Sequence, residues 1–293
     1  MNERPLLVDY HTQSIEHGFA NPRRVRETVQ AAVNGGLSTI CLTDHYPLPP
    51  RFGDPTEEHD CAMPLADYPQ YQKEVDAAMA EFGGRIKILR GAEVDWLPEH
   101  YEWTKDQINA WPFDYVIGSV HFLGQIRNSD GTEGNFLLDY KEEEFLRGLD
   151  QFGSIKSLVH AYFFEVGRMV RSGLFDGVGH LDLIKKYNNG SLFTQDKPWY
   201  RDTVIETLRV IAMSGMSLEL NAAGLDKKCQ EAYPAQWVLE YARMLGIPLT
   251  TGSDGHTPEG IGRNLDKAVE LAKAAGYTQL VEYRRRQQKA VAI

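Results

Sequence analysis

The sequence predicts an α/β fold built as a closed or nearly closed barrel, and three observations carry that prediction. Short apolar runs alternate with stretches of helical period about seven times in a chain of 293 residues. Nothing resembling a linker interrupts the alternation. Histidines and carboxylates gather where the apolar runs end, and in a barrel those ends form a single face. An open doubly wound sheet is the competing arrangement, but neither GxGxxG nor GxxxxGK follows the first run.

Leu6 to His11 (LLVDYH) reads as the first strand and ends in polar residues. Pro22, suited to a first helical turn, opens a helix carried by Val25, Val29 and Ala32 and stopped at Gly35 and Gly36. Ser38 to His45 (STICLTDH) is a second strand. Residues 46–69 are rich in Pro, Asp and Glu, irregular, and long enough to cover a site. A helix over 71–82 leads to a strand from Ile86 to Val94. Tyr115 to Phe122 is the next strand, followed by a Gly/Asn/Asp-rich loop up to Asn135. IKSLVHAY is readable as a strand. Yet Ile155, Leu158, Val159, Tyr162, Val166, Met169 and Val170 recur at spacings of three and four, which predicts one helix over 152–172 closed by Gly173. The remainder alternates regularly: strand 175–181, helix 198–213, strand 216–221, helix 234–244, strand 247–254, helix 262–275 and a last strand near 278–281.

Apolar residues make up 42% and charged residues 25%, so the chain can bury a sizeable core. Cys41, Cys61 and Cys229 form no close pair and no disulfide framework. The opening MNERPLLVDYH lacks a signal peptide's apolar stretch, and no apolar run approaches the ~20 residues that span a bilayer. The expectation is a cytoplasmic protein without a membrane partner, a monomer or small homo-oligomer. Lys and Arg number 31 against 41 Asp and Glu, a net charge of -10. That balance argues against a nucleic-acid partner and still permits a local basic pocket for a small anion.

Of nine histidines, His11, His45, His121, His180 and His256 stand at or just beyond predicted strand ends. Glu93 stands at another, and Asp254 precedes His256 by two residues. His17 follows the first strand closely enough to reach the same mouth, with Glu16 as its competitor. Imidazole and carboxylate together bind Zn, Fe or Mn, and the group exceeds the four ligands of one ordinary zinc, so more than one ion is implied. Taken singly, each residue has a plainer reading: His180 as a satisfied core histidine, Glu93 as a buried acid paired with Arg90. The coincidence across so many strand ends favours the cluster. His160, on the polar side of its predicted helix, and His59 and His100, in loops, read as solvated.

Seven motifs carry a family resemblance: VDYHTQ (8–13), LTDH (42–45), GAEVD (91–95), WPFDYVIGSVHFL (111–123), FDGVGHLDLIKKY (175–187), LELNAAG (218–224) and GSDGH (252–256). In this order they resemble the polymerase-and-histidinol-phosphatase (PHP) superfamily, in its histidinol-phosphatase-like branch, across essentially the whole chain. The resemblance implies one PHP-type domain over 1–293, folded as a distorted (β/α)7 TIM-like barrel. It further implies two or three divalent ions (Zn, Fe or Mn) at the C-terminal ends of the strands. The implied reaction is hydrolysis of L-histidinol phosphate to L-histidinol and phosphate, a step of histidine biosynthesis. The family's metal ligands fall on His11, His45, Glu93, His121, His180, Asp254 and His256, and His17-Gly18 resembles a His-Gly of this branch, arriving about two residues early. Gln13 departs from the usual His-x-His; its amide oxygen would be a neutral, weaker ligand. In such a site Glu93 would bridge two ions, Asp254 would orient the attacking hydroxide, and His256 or a water would supply the leaving group's proton. Asn221, Arg263 and Lys185 are the candidates for binding phosphate. A phosphodiesterase or nucleotide-processing enzyme would want a longer basic groove. A metal-dependent amidohydrolase would want a bridging lysine or a different histidine pattern.

Overall fold

The computed structural model describes residues 7–14, 23–128 and 130–293. Its first half runs β1 (Val8–Asp9), α1 (Arg23–Asn34), β2 (Thr39–Leu42), α2 (Tyr68–Phe82), β3 (Lys87–Asp95), α3 (Tyr101–Ala110), β4 (Tyr115–Ser119), β5 (Phe122–Arg127) and β6 (Glu133–Leu137). There follow α4 (Glu142–Phe152), α5 (Ile155–Ser172), β7 (Gly177–Val178), α6 (Pro198–Ser214), β8 (Ser217–Asn221), α7 (Gln236–Met244), β9 (Leu249–Gly252), α8 (Leu265–Ala274), β10 (Gln279–Arg284) and β11 (Gln287–Ala292). Strands β1, β2, β3, β4, β7, β8 and β9 pair in parallel in that order, with fully buried runs such as Thr39–Leu42 and Ser217–Asn221. The first and last strands then meet. Tyr10 N–H donates to the Thr251 carbonyl and Asp254 N–H to the His11 carbonyl, each at 2.8 Å, and Thr251 Oγ1 donates to the Val8 carbonyl at 2.7 Å. Gly252 permits this approach, because a Cβ there would overlap His11 Cβ and the Glu219 carboxylate.

The predicted barrel strands all form, although β1 and β7 are only two residues long. The helix proposed to start at Pro22 is described from Arg23 onward. Helix α5 settles the ambiguous segment in favour of the helix: Ser154 Oγ caps it by accepting Ser157 N–H, and Gly173 ends it in the left-handed region. His160 is exposed on this helix, its ring 6.0 Å from that of Trp199. The phosphatase activity that the family resemblance implies should therefore stay within a few-fold of wild type in His160→Ala. A loss of tenfold or more in a steady-state assay would contradict that placement.

Four segments depart from the sequence expectation. Helix α3 occupies a stretch to which no element was assigned. The loop predicted up to Asn135 contains the hairpin β5–β6. The helix predicted over 152–172 begins at Ile155, because Gly153 turns left-handed at the end of a further helix, α4, that the sequence did not reveal. The last strand does not join the barrel: β10 and β11 make an antiparallel hairpin against the N-terminal ends of β4, β7 and β8, where Tyr283 OH donates to the Asp176 carbonyl at 2.9 Å. Since β9 is already bonded to β1, the barrel offers no free edge for another strand.

At the opposite end, the irregular segment before α2 leans on β5–β6. Asn135 Nδ2 donates to the Gly53 carbonyl at 2.7 Å, and the Phe52 and Phe122 rings meet edge to face at 5.0 Å. Cys61, Leu97, Phe122 and Leu137 form a small apolar cluster there, separate from the main core. The two insertions brace one another beside the mouth of the barrel.

Candidate metal centre and active site

Parallel pairing places the strand ends of β1, β2, β3, β4, β7 and β9 around one point, and the side chains gathered there are imidazoles and carboxylates. Glu93, on β3 and 1% exposed, is central. Its Oε2 lies 3.0 Å from His11 Nε2 and 3.2 Å from His45 Nδ1. Its Oε1 lies 3.0 Å from His180 Nε2 and 3.5 Å from His121 Nε2. Asp254 Oδ1 approaches His11 Nε2 to 3.5 Å. His256 Nδ1 donates to the Asp254 carbonyl at 3.0 Å. Asp254 itself adopts φ 54°, a left-handed conformation that Asp tolerates better than most residues and that recurs at functional sites. Two groups have ligand atoms close enough to share an ion: His11, His180 and Asp254, and His45, Glu93 and His121.

The tautomers explain why these atoms converge. An ionised carboxylate only accepts, so His11 Nδ1, 2.7 Å from Glu219 Oε1, carries the ring proton, and so does His121 Nδ1, 2.8 Å from Asp95 Oδ1. Each ring then turns its Nε2 toward the centre. His11 Nε2 meets a carboxylate oxygen, and the His121 and His180 Nε2 atoms stand 3.2 Å apart. His180 Nδ1 is buried with no hydrogen-bond partner among the described residues. Electron-rich atoms at such distances require positive charge between them. Burial opposes a charged His121, yet Glu93 and Asp95 outweigh it and push its pKa up to about 10. His11 is likewise raised, burial being overcome by Glu219, Glu93 and Asp254. Burial disfavours an ionised Glu93, but His11, His45 and His121 hold it well below the usual carboxylate range. Burial lowers His45 and His256. Divalent cations fit this donor set. The carboxylates that fix His11 and His121 are the outer partners metal-bound imidazoles ordinarily have.

The cluster forms the floor of a cavity of about 440 Å³, walled by Thr56, Cys61, Phe122, Tyr140 and Tyr233 among others. A family model, the PHP domain, matches residues 9–223. The chain belongs to the PHP domain family. The "Probable histidinol-phosphatase" of Deinococcus radiodurans is 35% identical over 278 residues, covering 94% of this chain and 96% of that protein. The histidinol-phosphatase of Bacillus subtilis is 31% identical over 272 residues, covering 89% and 96%. Among solved structures, the histidinol phosphate phosphatase of Lactococcus lactis, complexed with Zn, L-histidinol and phosphate, superimposes with a TM-score of 0.73 at 24% identity, covering 96% of this chain and 98% of that one. The barrel fold is thus shared with it.

In this member of the PHP domain family the strand-end residues His11, His45, Glu93, His121, His180, Asp254 and His256 do come together. His17 and its competitor Glu16 lie outside the described residues. Arg90 does not pair with Glu93; it turns to Gln72 and Asp76. Gln13 sits in the cluster, but its carbonyl oxygen accepts His45 N–H at 3.0 Å and its NH2 donates to Glu93 Oε2 at 2.8 Å, an arrangement unlike the oxygen ligand expected from sequence. Asn221 is buried behind Asp254, donating to Asp254 Oδ2 at 3.1 Å and Glu219 Oε1 at 3.2 Å, and does not line the cavity. Lys185 also points elsewhere. It is 1% exposed, with Nζ 2.9 Å from both Asp182 Oδ2 and the Ala232 carbonyl. The next residue, Lys186, lines the cavity instead, held by Asp139 Oδ2 at 3.0 Å, because the short helical turn 183–185 rotates successive side chains apart. Arg263 lines the rim, paired through Nε and Nη2 with the two carboxylate oxygens of Asp226. Asp54, Glu57, Glu58 and Asp60 do not reach the cavity wall: Asp54 ties its own loop by accepting Thr56 and Cys61 N–H, and Glu57 pairs with Lys141.

Sequence reasoning overlooked Glu219, Asp95 and Lys186. Glu219 is fully buried, bonds His11 Nδ1 and accepts the backbone N–H of His180 at 2.7 Å, so one carboxylate orients the His11 imidazole and anchors the main chain that carries His180. Its signal was available: an acid amid the apolar residues of LELN, with nothing local to neutralise it.

Proposed function

We propose that this chain hydrolyses a small phosphate monoester, L-histidinol phosphate before others, at a cluster of two or three divalent ions. The observation that carries this reading is the set of four imidazoles and two carboxylates on the floor of the cavity, with His11 directly behind them and a lysine on the wall. The resemblance of the whole chain to proteins named histidinol-phosphatase supports the substrate. Zn is the first choice among Zn, Fe and Mn, since the Lactococcus lactis protein is complexed with it. The ions would be held by His11, His180 and Asp254 and by His45, Glu93 and His121, with His256 beside them. Such ions, when bound, activate water and offset charge on the transferring phosphoryl group.

The protein's own part is placement. Lys186 offers an ammonium to phosphoryl oxygens, and Asp139 holds it in place. Burial opposes an ionised Asp139, but Lys186, His121 and His180 hold its carboxyl low, so it is an anion on the wall. Asp139 and Asp226 are the acids available to a cationic leaving group. Hydrolysis adds a water oxygen to phosphorus and breaks the ester P–O bond, the departing alkoxide taking up a proton. Asp254, beside His11 and the cluster, would orient the attacking water. His256, kept neutral by burial with Nδ1–H engaged, enters as an acceptor rather than a donor.

The deciding experiment measures phosphate release from L-histidinol phosphate, an uncharged alkyl phosphate and a phosphodiester on metal-loaded protein. A kcat/KM for L-histidinol phosphate more than about 100-fold above both is expected. Equal values for the two monoesters would sink the substrate assignment, and preference for the diester would move the reading to nucleotide chemistry. Lys186→Met should raise KM about 10- to 100-fold with the fold intact. Lys185→Met should instead lower Tm, since it strands the Asp182 carboxylate at a cost of about 3–5 kcal/mol. Thermal denaturation and steady-state kinetics on both variants separate the roles, and the reverse pattern would exchange them.

A further inference from the structure

Gln13 is 1% exposed, and both ends of its amide are committed. The backbone N–H of His45 can only donate, so the atom facing it at 3.0 Å is the carbonyl oxygen. The NH2 group therefore faces inward, 2.8 Å from Glu93 Oε2 and 3.5 Å from His11 Nε2. Reversing the amide would set NH2 against N–H and oxygen against carboxylate, two repulsive contacts in place of two hydrogen bonds, without water to relieve them. An amide nitrogen is a donor and no metal ligand. The other oxygen of Glu93 has its own donor: Ser119 Oγ donates to Oε1 at 2.7 Å.

We propose that Gln13 is a positioning residue that ligates no metal: with Ser119 it clamps the Glu93 carboxylate, one donor on each oxygen, while its carbonyl ties the backbone of His45 to the first strand. The inference rests on reading the cluster as a metal centre. The clamp has a geometric consequence. With one lone pair of each oxygen engaged, the carboxylate cannot turn about its last bond, and the remaining lone pairs point to opposite sides. Oε2 faces His11 and His45, and Oε1 faces His180 and His121, so each oxygen meets one histidine from each of the two ligand groups. A carboxylate set between two ions would need this fixed orientation, because turning it would disturb both groups at once.

The test uses the full chain loaded with Co(II), whose ligand-field bands report the number and kind of donors. Gln13→Met keeps approximate volume and removes both amide functions. Expected are the wild-type Co(II) content per chain at saturation, unchanged band positions, a kcat lowered about 10- to 100-fold and a KM within a few-fold of wild type. Ser119→Ala, on a different strand, should give the same signature, which keeps the proposal testable if the first variant folds poorly. Loss of one Co(II) per chain or displaced bands in Gln13→Met would make Gln13 a ligand and overturn the proposal. Unchanged kcat in either folded variant would overturn the clamp. Wild-type protein that takes up no Co(II) would instead overturn the metal-centre reading beneath it.

Discussion

Glu93→Gln is expected to lower kcat/KM for phosphate-monoester hydrolysis by about 1,000-fold or more, equivalent to ~4 kcal/mol of transition-state stabilisation. The substitution preserves volume and leaves Ser119 and Gln13 beside it. It removes the single negative charge on which four imidazoles converge, from both sides of the carboxylate. A neutral amide presents one oxygen to a cation, so it serves one side of the centre and sets NH2 groups against the other. Phosphate release at saturating metal, with metal content and circular dichroism measured on the same preparation, checks this. Turnover within about tenfold of wild type on a fully loaded, folded variant would show that the charge of Glu93 is not central to the reaction.

Removing the metals should abolish turnover and also change how stability depends on pH. In the metal-free protein His121 has its pKa pushed up to about 10, against an ordinary value near 6.5. A group whose pKa is raised by folding contributes stability that is fully present below its unfolded value and is lost as pH rises through its folded value. The metal-free protein should therefore lose stability between about pH 6.5 and 10, with a slope of about 1.4 kcal/mol per pH unit for each proton shed. His11 is shifted in the same direction and steepens the decline. Glu93, held low, contributes the opposite limb: its stabilisation is lost in acid, below the usual carboxylate range. In the loaded protein divalent cations replace those protons, so the alkaline decline should vanish while the ligands stay bound. Tm recorded at pH 6, 7.5 and 9 on chelator-treated and zinc-reloaded protein decides the matter. Parallel curves for the two would mean that the cluster's protons and its cations are not exchangeable.

The two carboxylates that orient histidines show where sequence reasoning reached its limit. His11, His121 and Glu93 were legible because each interrupts an apolar run at its polar end, a pattern confined to a few neighbouring residues. Glu219 lies 208 residues from His11, and Asp95 lies 26 from His121, so their partnerships exist only once the strands are side by side. The two lysines after GHLDL make the same point at shorter range. Nothing in Lys185-Lys186 distinguishes the buried partner of Asp182 from the cation on the cavity wall until a short helical turn rotates them apart.

Periodicity and strand-end chemistry settled the α/β class, the seven barrel strands, the helical reading of 152–172 to within three residues and the identity of most cluster residues. Both signals are local: a strand or an amphipathic helix displays its period within a dozen residues, and a polar residue ending an apolar run marks the strand's mouth. The tertiary structure alone decided that β1 closes against β9, that the last hairpin lies across the other end of the barrel, and which way the Gln13 amide points. Each of those outcomes depends on donors and acceptors brought together from distant parts of the chain. Their geometry follows from closing the barrel, and no local spacing records it.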